Sequence, residues 1–159
     1  MTALIWTANL LGWPVLHLSV AYSTLRLPSG LFARDTWLTA PRAWERDGKL
    51  YRKWFSIRKW KRLLPDGAPW LGGFPKRKLR ARDPVYLSQF LLETRRAQVA
   101  HWCMLGGLPV FFFWNPTWAR LVMIAYAVAS NLPCIIVQRY NRLALERAVR
   151  TRGRAQVRP

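Results

Sequence analysis

Charged side chains are absent from three long runs of this sequence, and this segregation constrains the fold more than any other feature. The uncharged runs cover residues 1–25, 97–119 and 121–138. A helix needs roughly 20 apolar residues to cross the hydrocarbon core of a bilayer, so each run has about the length of one membrane span. We therefore predict an all-α membrane protein with three transmembrane helices. The predicted spans are about residues 3–25, 97–114 and 118–138.

The basic residues lie between and after these runs. The 159-residue chain has 26 Lys plus Arg and 7 Asp plus Glu, a formal net charge of +19. Of the 26 cations, 18 lie between Arg26 and Arg96, 7 lie in the tail at 139–159, and Arg120 is the remaining one. By the positive-inside rule, the basic insert at 42–84 and the tail are cytoplasmic. Attraction to anionic lipid explains this charge better than nucleic-acid binding, and we expect no nucleic-acid partner.

The connections between the runs predict one membrane domain that covers residues 1–159. Three short spans leave too little chain for a large aqueous core. The second and third runs are separated by Asn115-Pro116 with almost no linker, so they should form a tight antiparallel hairpin. The first run contains Pro14 and His17, which a neighbouring helix must accommodate. These features predict a multi-pass protein of the cytoplasmic membrane.

The insert contains a basic segment with an imperfect apolar stripe. On a helix over residues 49–64, Leu50, Trp54, Ile57 and Leu64 share one side. Lysines interrupt this stripe, which fits an amphipathic segment at the membrane interface, and the Pro- and Gly-rich stretch that follows to residue 84 predicts a loop. Cations that alternate with tryptophans are suited to binding phosphates of lipid headgroups or of an acyl carrier. The predicted binding residues of this segment are Lys53, Trp54, Arg58, Lys59, Trp60 and Lys61.

His101 is an ionisable side chain inside the second apolar run. It follows Arg96 by five residues, so on a helix it lies roughly 7 to 8 Å deeper than that charge. Ionisable groups at membrane depth are costly and are often functional, although a lone histidine is also common as a hydrogen-bonded interface residue. In an antiparallel hairpin centred on the Asn115-Pro116 turn, Ser130 and Asn131 lie at the depth of His101. Asn131 could orient the histidine ring or could simply join the two helices.

Glu93 belongs to a second polar layer nearer the cytoplasm. It precedes His101 by eight residues, about 12 Å of helix rise, so the two side chains cannot touch on one straight helix. The same hairpin rule places Gln138 and Arg139 at the depth of Glu93. Glu93 could therefore neutralise Arg139 or, on its own helix, Arg96.

The residue types predict acyl transfer to a hydroxyl group. No serine or cysteine has the context of a nucleophilic elbow, and Cys103 lies about 200° around the helix from His101. Phosphate-loop motifs and metal-ligand spacings are not found in the sequence, so we expect no metal. We predict His101 as the general base, Asn131 as the group that fixes its tautomer, and Glu93 at the mouth of the site. Basic residues would hold the phosphates of the acyl donor.

Three stretches of the sequence match the pattern of a known family. They are KWFSIRKWKRLLPDG at 53–67, LETRRAQVAHW at 92–102 and NLPCIIVQRYNR at 131–142. Together they resemble the glycosyl-4,4'-diaponeurosporenoate acyltransferases, small membrane enzymes of bacterial C30 carotenoid biosynthesis. The resemblance covers roughly Leu25 to Arg142. It also places Arg96, Arg139 and Asn141 on family-like positions, and we add these three to the predicted substrate- or donor-binding residues.

The resemblance implies a specific reaction, the esterification of the sugar of a glycosylated carotenoid acid with a fatty acyl chain, the last step to a staphyloxanthin-type pigment. No cofactor is expected, because the acyl donor is a co-substrate, a phosphate-bearing carrier such as acyl-CoA. The expected partners are membrane lipid, the acceptor and the donor, with other enzymes of the pigment pathway as candidates. Two alternatives remain open: an acyltransferase that acts on another glycolipid, and a non-catalytic membrane scaffold or anionic-lipid-binding protein.

Overall fold

The computed structural model describes residues 2–64, 68–76 and 83–156. Within these ranges the chain is helical and contains no strand, which confirms the all-α prediction. The α-helices are α1 (Thr2–Arg26), α2 (Lys49–Lys53), α3 (Ile57–Trp60), α4 (Pro84–Gly106) and α5 (Thr117–Gln156). Short 3-10 helices cover Ser29–Phe32, Ala43–Gly48, Ala68–Leu71 and Leu108–Phe113. Residues 65–67 and 77–82 of the predicted loop, and 157–159 of the tail, lie outside the described residues.

Two helices are long and apolar enough to cross a membrane. These segments are Ala3–Arg26 in α1 and Thr117–Arg150 in α5. Several leucine and valine side chains of α1 are exposed, such as Leu10 at 75% and Val15 at 62%, which suits contact with lipid. The predicted third span and the basic tail as far as Gln156 form one continuous helix of 40 residues.

The second predicted span is not one continuous helix. α4 ends at Gly106, and a 3-10 helix from Leu108 to Phe113 follows, so the prediction of a helix over 97–114 is wrong beyond Gly106. Two adjacent glycines and then Pro109 weaken the α-helix here, because glycine has a high conformational entropy and proline has no N–H to donate. Gly107 also permits close packing, since a Cβ atom there would lie 2.8 Å from Leu16 of α1.

α4 and α5 pack side by side as an antiparallel pair, and the turn at Asn115 is tied to α1. The Asn115 and Asn9 side chains exchange two hydrogen bonds of 2.8 Å, and Trp114 Nε1 donates to Asn9 Oδ1 at 2.8 Å. One turn further along α1, Trp13 stacks on Phe111 with ring centroids 4.1 Å apart. These contacts hold α1 against the closed end of the predicted hairpin.

The insert is packed on the C-terminal half of α5 rather than lying apart from it. The insert and α5 share a hydrophobic core. Leu50 and Leu64 pack against this shared core, and Ile57 is fully buried in it. Trp54 is 76% exposed, because Ser56 has a left-handed backbone with φ of 46° that separates α2 from α3. The prediction of a single stripe is therefore wrong at Trp54. The buried residues of the shared core are Tyr51, Ile57, Val137, Tyr140 and Leu143.

A buried ion pair attaches the insert to α5. Glu45 is fully buried and accepts hydrogen bonds from Arg139 Nε and Nη2 at 2.8 Å, from the Tyr51 hydroxyl and from the Arg42 backbone N–H. Burial alone would raise the pKa of Glu45, but these hydrogen bonds outweigh it and hold the pKa below its usual value. Burial and the neighbouring carboxylate raise the pKa of Tyr51.

Candidate active site

A cavity of about 1080 Å³ lies between α1, α4, α5 and the insert. Side chains from all four parts of the chain line it, and half of the twelve residues predicted as site residues are among them. Those six are His101, Asn131, Glu93, Lys61, Arg96 and Asn141. The fold therefore brings the predicted base and its partner into the same space as the second predicted polar layer, which contains Glu93.

His101 and Asn131 are hydrogen-bonded across α4 and α5. His101 Nδ1 lies 2.9 Å from Asn131 Oδ1, so the predicted contact between these two residues is confirmed. Asn131 is fully buried, and its Nδ2 group donates to the Ala127 carbonyl at 3.0 Å and to Ser130 Oγ at 3.1 Å. A carbonyl oxygen can only accept, so the orientation of the amide is fixed.

This orientation also fixes the tautomer of His101. Because Asn131 Oδ1 is an acceptor, His101 Nδ1 must carry the proton, and in the neutral ring Nε2 has a free lone pair. No described residue forms a hydrogen bond with His101 Nε2. A neutral histidine with an unprotonated Nε2 in a cavity has the geometry of a general base.

The second polar layer of the cavity is built by Glu93 and Arg96. Glu93 Oε1 accepts from Arg96 Nε at 3.2 Å and from Gln89 Nε2 at 3.0 Å. Arg96 also donates to the carbonyls of Thr24 and Leu27 at 2.7 and 2.9 Å, so it closes the end of α1 against α4. Of the two predicted partners of Glu93, the local one is found. The Arg139 alternative is wrong, because the insert supplies Glu45 to that arginine.

Four buried polar side-chain atoms have no hydrogen-bond partner within the described ranges, and three of the four belong to residues that line this cavity. These three are Glu93 Oε2, Gln138 Oε1 and His17 Nε2. A buried polar atom without a partner is destabilising, and native proteins contain few of them. Three such atoms around one cavity indicate a ligand with hydrogen-bonding groups.

Four basic residues of the amphipathic segment were predicted to bind phosphate. Of these four, Lys61 lines the cavity. Its Nζ donates to Asn141 Oδ1 at 3.2 Å and lies 5.1 Å from the centroid of the Tyr140 ring. Burial lowers the pKa of this lysine. Arg62 and Lys76 also line the cavity, although neither was among the predicted site residues. Their place in a basic insert was the only sequence feature that could have indicated a binding role.

Six of the predicted binding residues lie outside the cavity. Arg58 Nε donates to the Tyr140 hydroxyl at 3.3 Å, Trp60 Nε1 donates to the Phe55 carbonyl at 2.7 Å, and Arg139 forms the ion pair described above. The predicted residues that do not line the cavity are Lys53, Trp54, Arg58, Lys59, Trp60 and Arg139. Residues 2–64, 68–76 and 83–156 contain no cluster of three His, Cys, Asp or Glu side chains that could hold a metal ion.

Comparisons with known proteins identify the class of this chain. A protein named glycosyl-4,4'-diaponeurosporenoate acyltransferase from Staphylococcus haemolyticus (strain JCSC1435) is 33% identical over 136 residues, which are 84% of this chain and 78% of the relative. A protein of the same name from Staphylococcus aureus (strain USA300) is 33% identical over 140 residues, 87% of this chain and 84% of the relative. No solved structure matches the chain. The chain has an all-helical fold with a cavity lined by His101, and its relatives are named as acyltransferases, so the enzyme prediction is confirmed.

The family follows from the same comparisons. A model of the family described as glycosyl-4,4'-diaponeurosporenoate acyltransferase matches residues 34–151. This chain belongs to the glycosyl-4,4'-diaponeurosporenoate acyltransferase family, as its three sequence stretches indicated. The matched range contains α4, most of α5 and the insert, and thus His101, Asn131 and Lys61.

Proposed function

We propose that this protein esterifies a sugar hydroxyl of a glycosylated carotenoid with a fatty acyl chain. The names of its relatives support the reaction class and the acceptor. The observation that carries the mechanism is the hydrogen bond from His101 Nδ1 to Asn131 Oδ1, which leaves Nε2 of a cavity-lining histidine free to take a proton. The donor is a phosphate-bearing acyl carrier used as co-substrate.

The reaction requires one base and one position for the acyl carbonyl. The acceptor hydroxyl oxygen forms a bond to the carbonyl carbon while His101 Nε2 takes the hydroxyl proton, and the carbonyl π electrons move to the carbonyl oxygen. When that oxygen re-forms the carbonyl, the bond from carbon to the sulfur of a thioester donor breaks, and the thiolate receives the proton from His101. Asn131 Oδ1 accepts from Nδ1–H throughout and thereby stabilises the transient imidazolium.

The position of Lys61 supports a donor site at the cytoplasmic end of the cavity. Lys61→Met should raise the donor KM about 10-fold and change kcat little, because a charge-assisted hydrogen bond contributes roughly 1.5 to 3 kcal/mol to binding. Lys59→Met is the matched control, since Lys59 is an exposed lysine outside the cavity. Initial rates at varied acyl-CoA concentration give both constants. Equal donor KM values for the two variants would contradict this site.

The membrane placement that we propose has three crossings. Residues 97–106 of α4 rise about 15 Å and the 3-10 helix of six residues adds about 12 Å, so together they nearly cover a hydrocarbon core of about 30 Å. The exposed tryptophans between α1 and α4 suit the membrane interface, where tryptophan is enriched. They are Trp37, Trp44, Trp54 and Trp70.

The proposed orientation puts the insert in the cytoplasm and the Asn115 turn outside, because Arg120 is the one basic residue near the turn. To test it, Lys59→Cys and Trp118→Cys are each made in a background in which Cys103 and Cys134 are replaced by alanine. A membrane-impermeant maleimide applied to intact cells should label position 118 and leave position 59 unlabelled until the cells are opened. Labelling of position 59 in intact cells would reverse the orientation.

The test of the proposed function is a reconstituted reaction. The purified protein in bilayer nanodiscs receives acyl-CoA and either a glycosylated carotenoid acid or a glucosyl glycerolipid, and products are identified by mass spectrometry. The proposal predicts a monoacylated carotenoid glycoside. Acylation of the glycerolipid alone would establish a different acceptor. Acylation of neither lipid would favour the scaffold alternative, because exposed tryptophans and a basic insert also suit a protein that only binds the membrane.

A further inference from the structure

His17 of α1 is a half-buried polar residue of the cavity that the proposed mechanism does not use. Its Nε2 atom is buried and has no hydrogen-bond partner in the described part of the chain. The ring is held by aromatic neighbours, with centroid distances of 5.6 Å to Trp13 and 6.5 Å to Tyr126. His17 lines the same cavity as His101. A membrane helix that leaves an imidazole nitrogen unpaired is costly unless a ligand completes it.

The packing of α1 against α4 and the 3-10 helix gives the depth of His17 relative to His101. The Leu16 side chain packs closely against Gly107, and Arg96 Nη1 donates a hydrogen bond to the carbonyl of Leu25. Between these two contacts α1 runs antiparallel to α4. Along the helix axis, His17 therefore lies about four residues, or roughly 6 Å, beyond His101 on the side away from Arg96. One sugar ring can bridge that separation.

The chemistry of His17 Nε2 suits a hydroxyl group. In one tautomer Nε2 donates a hydrogen bond and in the other it accepts one, and a hydroxyl group can satisfy either. The two other unpaired atoms, on Glu93 and Gln138, belong to the layer about 12 Å of helix rise from His101, too far to hold the same ring. His17 is therefore the unpaired group within reach of a sugar whose reacting hydroxyl lies at His101.

We propose that His17 binds a second hydroxyl of the sugar acceptor and so places the reacting hydroxyl at His101 Nε2. This inference rests on the proposed function and adds an acceptor-binding residue at the deep end of the cavity. It makes the cavity a two-substrate site: the donor phosphates lie at the Lys61 end, the acyl carbonyl lies at His101, and the sugar extends from His101 to His17.

The test is the acceptor KM of His17→Leu. Loss of one hydrogen bond to an uncharged hydroxyl should raise the acceptor KM about 5- to 10-fold, with the donor KM and the pH profile of kcat unchanged. The unfolding temperature without substrate should not fall, because Nε2 has no hydrogen-bond partner to lose in the described part of the chain and leucine keeps an apolar group beside Trp13 and Tyr126. His17→Gln retains a polar nitrogen near the Nε2 position and should recover part of the affinity. Thr7→Val is the control, since its hydroxyl bonds the Ala3 carbonyl within α1 and lies outside the cavity.

A binding measurement separates this inference from the proposed reaction. Octyl glucoside below its micellar concentration should raise the unfolding temperature of the wild-type protein and of His101→Gln in nanodiscs, and octanol should not. The shift should be absent in His17→Leu. A glucoside shift of wild-type size in His17→Leu, no shift in the wild type, or an unchanged acceptor KM would overturn the proposal. A lower unfolding temperature of His17→Leu with unchanged KM would show a structural histidine.

Discussion

His101→Ala is expected to lower the rate of acylation by about 10²- to 10⁴-fold, the usual contribution of a positioned general base. The reason lies in the hydrogen bond to Asn131, which places the only proton of the neutral ring on Nδ1 and leaves Nε2 as the proton acceptor. His101→Gln should be nearly as inactive, because an amide cannot take the proton. Initial rates of ester formation in nanodiscs measure the effect.

Neighbouring variants give the expected order of effects. Asn131→Ala should retain partial activity, because it releases the tautomer without removing the base. Glu93→Gln should mainly reduce the amount of folded protein, since Glu93 is buried against Arg96. Protein levels in the membrane are measured beside product for each variant. If His101→Gln inserts at normal levels and forms ester at nearly the wild-type rate, His101 is a packing residue and the base assignment is wrong.

Glu45→Leu is expected to lower the free energy of unfolding by about 3 to 5 kcal/mol, because it leaves the Arg139 guanidinium buried without its carboxylate. Asp47→Asn is the matched control. The Asp47–Arg150 pair is exposed on both sides, and its loss should change the free energy by less than about 1 kcal/mol. Combining Glu45→Leu with Arg139→Met should recover part of the loss, as expected for a pair. Equal effects of the Glu45 and Asp47 changes would contradict a buried pair.

The same carboxylate predicts a dependence of stability on pH. The pKa of Glu45 is lowered in the folded protein, so its contribution is present above the unfolded value of about 4.3 and is lost as the pH falls through the folded pKa. Wild-type protein should therefore lose more stability than Glu45→Leu below about pH 4.3. Denaturant titrations of both proteins across this range measure the difference.

Parts of the site could be predicted from the sequence because a short turn fixes which residues of an antiparallel hairpin are level. The Asn115 turn places Asn131 beside His101, and the structure has that contact. The turn also makes Arg139 level with Glu93. Depth alone does not decide which side of the helix a residue faces, however, and Arg139 faces the insert, where Glu45 binds it.

Contacts between distant segments could not be read from local patterns. Ser56 has a positive φ and lies between α2 and α3, and no periodicity of the apolar residues reveals such a turn, so the predicted stripe failed at Trp54. His17 was visible as a lone ionisable residue in an uncharged run, but its position in the cavity depends on how α1 packs against Gly107. The early end of α4 follows from two glycines, whose effect on a membrane helix depends on its neighbours.

The most direct test of the central claim is mass spectrometry of the lipids of cells that make the glycosylated carotenoid acid and express either the wild-type chain or His101→Gln at equal membrane levels. With the wild type, the glycoside should be converted to a species heavier by the mass of one fatty acid minus one water, with the added mass on the sugar fragment. With His101→Gln, the unacylated glycoside should accumulate. An unmodified glycoside with the wild type, or the same acylated species with both proteins, would contradict acyl transfer by a His101-centred site.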